Sequence, residues 1–109
     1  MKIYFANNKY LTIDNFNEEY RCGFRYLNFS LNNVNLSFDS IFNFLSHTET
    51  LSHIIITNNN NESIATFNDV FHSVYYLNRS VTEDDMIYIN VKLSSSKDGM
   101  ESVEETSAN

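Results

Sequence analysis

Met86-Ile87-Tyr88-Ile89-Asn90-Val91-Lys92-Leu93 is the stretch whose reading decides the fold. Ile87, Ile89, Val91 and Leu93 recur at every second position, so an extended chain sets them on one face and leaves Tyr88, Asn90 and Lys92 on the other. One apolar and one polar face is the pattern of a strand in an antiparallel sheet, with one side on the core and one side free.

Upstream, Leu51–Thr57 predicts a strand centred on Ile54-Ile55-Ile56, β-branched and buried on both faces. Asn58–Asn61 is a polar turn and Ser63–Phe67 the returning strand. Residues 67–77 fit two templates. Phe67, Val70, Phe71, Val74 and Tyr75 match a helix face, whereas His72, Val74 and Tyr76 alternate among strand formers; we place a strand over 71–77. Arg79–Asp85 then reads as an exposed acidic loop.

In the first half, residues 2–5 and 10–14 form a hairpin around Ala6-Asn7-Asn8-Lys9, followed by a polar connection over Asn15–Glu19. Tyr20–Leu31 carries the longest strand signal, with a defect. Tyr20, Cys22, Phe24 and Tyr26 alternate, and then Leu27, Phe29 and Leu31 alternate one step out of phase. A bulge near Tyr26-Leu27 restores the phase; two strands in different environments is the other reading. Val34, Leu36 and Phe38 alternate briefly before a helix over Ser37–Ser46. There Phe38, Ile41, Phe42 and Leu45 make one apolar face and Ser37 or Asp39 supplies the cap. So short a helix cannot stand alone and needs a sheet to lie on. The expected fold is α+β: one domain over residues 1–93, mostly antiparallel β-sheet with one short helix packed on it. Residues 94–109 form an acidic, Ser/Glu-rich tail without apolar period, which reads as disordered.

Composition narrows the function. The chain has 109 residues, nine Phe and seven Tyr, but only two Gly, no Pro and 17 Asn. Turns must therefore be built by Asn and Asp, which best tolerate left-handed backbone after glycine. The same bias is what AT-rich codons give, as in a low-GC bacterium or its phages. Of the net charge of −7, the tail carries −3 (Lys97 against Asp98, Glu101, Glu104 and Glu105), leaving −4 on the body. An acidic body is a poor phosphate binder, which argues against direct nucleic-acid binding and suits a basic, nucleic-acid-handling protein partner. The N-terminus has no apolar run long enough for a signal peptide and no stretch is long enough to span a membrane, so the expected location is the cytoplasm of a host cell.

No catalytic motif stands out. His47-x-Glu49-x₃-His53 lacks the spacing of a helical metal site, Cys22 reads as a core position in phase with Tyr20 and Phe24, and glycine poverty leaves no phosphate-cradling loop. No metal, cofactor or catalytic residue is expected. The candidate partner-binding residues are the acidic Glu18, Glu19, Glu83, Asp84 and Asp85, together with Tyr75, Tyr76 and Tyr88. With Tyr26 and Phe44, these tyrosines exceed what one core face can hold, and surplus Tyr is characteristic of binding hot spots.

The run Ile54-Ile55-Ile56-Thr57, a polar turn, Ile64-Ala65-Thr66-Phe67, a strand, an acidic turn and Ile87-x-Ile89-x-Val91-x-Leu93 resembles small proteins borne by phages and prophages of low-GC Gram-positive bacteria. These include virion accessory parts and inhibitors of host defence, anti-CRISPR proteins among them. The resemblance transfers no site residues. Small size, negative charge, surplus Tyr, absent catalytic machinery and the AT-rich bias lead to the expectation of a non-enzymatic phage or mobile-element protein that binds another protein stoichiometrically and inhibits a host defence system such as a CRISPR effector, as a monomer or dimer. The alternative is a virion tail or connector component, which would be a symmetric oligomer.

Overall fold

The computed structural model describes residues 1–32, 37–96 and 102–105. Nine strands and two short helices follow in the order β1 (Lys2–Tyr4), β2 (Tyr10–Thr12), β3 (Phe16–Arg21), β4 (Phe24–Asn32), α1 (Phe38–Leu45), α2 (Thr48–Leu51), β5 (His53–Thr57), β6 (Ser63–Asn68), β7 (Ser73–Val81), β8 (Ile87–Ser94) and β9 (Ser102–Glu105). They make two sheets, a four-stranded one in the order β2-β1-β5-β6 and a five-stranded one in the order β3-β4-β8-β7-β9. All pairings are antiparallel except that of β9 with β7. The inner faces share one core. Ile3, Ile54 and Ile56 come from the smaller sheet, Leu27, Phe29, Leu31, Ile89, Val91 and Leu93 from the larger, and Phe38, Ile41 and Leu45 from α1.

The strand at residues 86–93 is β8, with Ile89, Val91 and Leu93 buried as the alternation requires. Helix α1 is also where the sequence puts it. Ser37 caps it by accepting a hydrogen bond from the Ser40 amide at 3.1 Å. The strand expected over 71–77 is β7, beginning at Ser73 and running on to Val81, so the loop expected over Arg79–Asp85 shrinks to its second half. Asn and Asp do make the turns: among the described residues, four of the five non-glycine positions at positive φ are Asn8, Asn61, Asp69 and Asp85.

The fifth is Cys22, and it corrects the reading of residues 15–31. Cys22 (φ 54°) and Gly23 (φ 84°) are the two-residue loop of a hairpin whose last pair is Arg21 with Phe24. Tyr20–Leu31 is therefore two strands, and Asn15–Glu19 is not a mere connection but runs into β3. β4 itself is regular. Tyr26 lies on its outer face and Leu27, Phe29 and Leu31 on its inner face, so no bulge at Tyr26-Leu27 is needed. Cys22 is exposed, not core.

Bulges occur elsewhere. Val74 pairs with Leu93 and Tyr76 with Lys92, which makes Tyr75 an extra residue in β7. Ile56 pairs with Ala65 and Thr57 with Ser63, which makes Ile64 the extra residue in β6. Two more boundaries move. Leu51 ends α2, so β5 starts only at His53; Ile54 and Ile56 are buried, while Ile55 is half-buried on the outer face. Ser94, expected in the tail, closes β8 fully buried; the Ser95 amide donates to the Arg25 carbonyl at 2.9 Å and the Ser73 hydroxyl to the Ser96 carbonyl at 2.8 Å. Farther along, Ser102–Glu105 pairs with Tyr76–Arg79 in parallel. The rest of the expected disordered tail, and Val34 and Leu36, lie outside the described residues.

Candidate functional site

The outer face of the five-stranded sheet is where the chemistry gathers. Cross-strand register lays Asn17 of β3, Asn28 of β4, Lys92 of β8 and Tyr76 of β7 in one row, with Glu19 beside Tyr26 on one side of it and Ser30, Asn90 and Asn78 in line on the other. Four strands at about 4.8 Å spacing make this row about 14 Å wide. A cleft of about 400 Å³ opens in it, lined by Asn15, Asn17, Asn28, Ser30, Tyr75, Tyr76, Asn90 and Lys92 among others. That volume lies within the range of small-molecule sites.

The bulge in β7 explains the two tyrosines. In a regular strand Tyr75 and Tyr76 would point to opposite faces. The extra residue lets both line the same cleft while Val74 and Leu77 on either side stay in the core. Tyr75 packs edge-on against Tyr26, with ring centroids 5.0 Å apart. Lys92 lies 5.5 Å from the Tyr26 centroid and 5.9 Å from that of Tyr75, within cation–π range.

Lys92 also forms an ion pair with Glu19 at 2.9 Å, and Asn28 Nδ2 donates to the same carboxylate at 2.6 Å. The hydrogen bond from Lys92 foremost, and that from Asn28 next, hold the Glu19 carboxyl below its ordinary value. The cationic head of the cleft is thus neutralised from within. The amides around it are not saturated. Among the described residues the Asn17 side chain makes no hydrogen bond. Among the same residues the Oδ1 atoms of Asn28 and Asn90 have no partner, and Asn15 uses only its Oδ1, accepting from Ser30 at 3.3 Å.

The eight candidate residues separate into three places. Tyr75 and Tyr76 line the cleft, and Glu19 borders it through its bonds to Lys92 and Asn28. Tyr88 lies on the same face but four residues back along β8, next to the loop that holds Glu83, Asp84 and Asp85. Glu18 is turned away from both, opposite Leu27, and pairs with Arg25 at 3.5 Å. The loop is held by the Thr82 amide on the Met86 carbonyl, the Asp85 amide on the Thr82 carbonyl, and the Met86 amide on the Thr82 hydroxyl. None of its three carboxylates has an ion-pair partner among the described residues.

The asparagines of the cleft escape a reading based on motifs, because Asn is common throughout the chain. Their signal was positional: Asn17, Asn28 and Asn90 each occupy an outward position of a strand. The other sequence candidates do not assemble. Cys22 sits at a hairpin tip and His47 precedes α2, while His53 Nδ1 donates to Asn68 Oδ1. Among the described residues no three His, Cys, Asp or Glu side chains gather as a metal site requires. No helix is long and apolar enough to cross a membrane among the described residues. Compared with known proteins, the chain matches no family model, no curated protein and no solved structure.

Proposed function

We propose that the chain acts by stoichiometric binding to a protein partner, and that the partner's basic groups meet the corner formed by Glu83, Asp84, Asp85 and Tyr88. The observation that carries this reading is the contrast among the acidic candidates. Glu18 and Glu19 are committed to Arg25 and Lys92, whereas the three loop carboxylates are exposed and unpaired among the described residues. A half-buried tyrosine beside unpaired charge combines an aromatic anchor with electrostatic steering.

The partner class we propose is a nucleic-acid-handling protein of a host defence system, a type II CRISPR effector being its commonest form. The small size, the acidity and the resemblance to phage-borne proteins support it. The test is to mix the chain with such an effector and follow complex formation by size-exclusion chromatography and DNA cleavage by gel. A one-to-one complex and lost cleavage are expected, both abolished by combined Glu83→Lys, Asp84→Lys and Asp85→Lys. Neither complex nor inhibition counts against the reading. Light scattering that finds a closed ring of copies would turn it toward a virion tail or connector component.

A further inference from the structure

We propose that the cleft between β3, β4, β8 and β7 is a binding site for a neutral oligosaccharide, separate from the acidic corner. The argument starts from what the cleft offers. A sugar hydroxyl is at once a donor and an acceptor, and a side chain that answers both needs is the carboxamide. Here the open groups are mixed: acceptor oxygens on Asn28 and Asn90, the Asn15 amide nitrogen, and both ends of Asn17, all without partners among the described residues. A ligand that only donates or only accepts would leave half of them unused.

The bulge is the second, independent observation. One extra residue in β7 brings two adjacent tyrosines to one cleft, at no loss of the core positions Val74 and Leu77. Bulges recur where a strand must re-aim a side chain at a ligand. Aromatic rings beside carboxamides suit a pyranose, which has C–H-rich faces and a rim of hydroxyls.

Charge decides against the other ligands such a surface could take. Sheet faces with exposed aromatics also bind single-stranded nucleic acid, but that needs cations along the track. Among the described residues the one cation lining this cleft is Lys92, already bound to Glu19 at 2.9 Å, and the chain carries −7 overall. A phosphorylated or sulfated ligand fails on the same count. An uncharged ligand of high hydroxyl density remains.

The test uses the full chain on an array of neutral and acidic glycans, followed by ¹H–¹⁵N NMR titration with the neutral trisaccharide retained best. Retention of neutral glycans is expected, with a Kd of about 1 mM or tighter and shifts in the side-chain amide resonances of Asn17, Asn28 and Asn90. Tyr76→Ala and Asn17→Ala should each weaken binding at least about tenfold, as loss of roughly one well-placed contact does. Asn17 makes no side-chain hydrogen bond among the described residues, so Asn17→Ala should melt like the parent. Combined charge reversal of Glu83–Asp85 should leave glycan binding intact, which keeps this site distinguishable from the protein-binding corner. The proposal is overturned if no neutral glycan is retained above blank, or if only acidic ones are. Binding unaffected by both cleft substitutions overturns it too, as does an uncharged decapeptide that shifts the same amides when no glycan does.

Discussion

Replacing Cys22 by asparagine should make this protein more stable, although in the phase of Tyr20, Phe24 and Tyr26 it looks like the loss of a core residue. Cys22 and Gly23 are the two loop residues of the β3–β4 hairpin, at φ 54° and 84°. Positive φ at both is what a type I′ turn demands, and Asn-Gly is its preferred pair. An L-residue with no local hydrogen bond pays about 1–2 kcal/mol in left-handed backbone; asparagine relieves part of this, about 0.5–1 kcal/mol. The thiol is exposed, so little burial is lost. For a domain of this size about 1 kcal/mol moves the midpoint by roughly 4–8 °C, so Cys22→Asn should melt roughly 2–8 °C above the parent. Circular dichroism melts in reducing buffer measure it. Cys22→Ala should stay near the parent, and Cys22→Val, β-branched at positive φ, should fall below it. If Cys22 lay in the core, Asn would bury an amide without partners and lower stability by about 1–3 kcal/mol. A drop in melting temperature for Cys22→Asn, or equal behaviour of the Asn and Val variants, would refute the turn assignment.

Three further outcomes are expected. Ser37→Ala removes the cap from the Ser40 amide and should cost about 1 kcal/mol in urea unfolding. Deleting Tyr75 should be tolerated. The strand then alternates regularly through Val74, Tyr76 and Leu77, and the loss is mainly the Tyr26 ring contact, about 0.5–1.5 kcal/mol; Leu77→Ala, which hollows the core, should cost about 2–5 kcal/mol. Glu19→Gln should lose about 0.2–1 kcal/mol at neutral pH, since the pair with Lys92 is partly exposed. The Glu19 carboxyl titrates lower when folded than its ordinary 4.5, so its contribution is present above that value and disappears as pH falls through the folded pKa. Melts of parent and Glu19→Gln should therefore converge below pH 4.5.

Where one residue determines one local geometry, the sequence is readable. β8 shows its period without interruption, Ser37 stands one residue ahead of an apolar helical stripe, and Asn8, Asn61, Asp69 and Asp85 mark turns by backbone tolerance alone. Cys-Gly hides its turn because cysteine has no local preference for left-handed backbone, so a hairpin looks like one long strand with a slip. β3 was obscured for a related reason. Among the described residues it is an edge strand paired only with β4, and Asn17, Glu18 and Glu19 can be polar there because neither of their faces is sealed in the core. The tyrosines of the site were visible as a surplus, but their convergence was not. Val74 and Leu77 stand three apart and are both buried, which no regular strand allows; that mismatch was the available sign of the bulge at Tyr75.

The second bulge bears on how copies of this chain behave toward each other. β6 is an outermost strand, and Ser63-Ile64-Ala65-Thr66-Phe67-Asn68 contains no charge and no proline, with Ile64 47 % exposed. Such an edge invites endless strand-to-strand growth into fibres. The extra residue at Ile64 breaks the ladder one residue from its start, so a neighbouring chain finds no continuous row of amides to copy. The opposite sheet guards its β3 edge by charge, through Glu18, Glu19 and Arg21, and β2 is only three residues long. A chain with so few glycines and no prolines lacks the usual strand breakers, and one misplaced isoleucine takes over their protective duty.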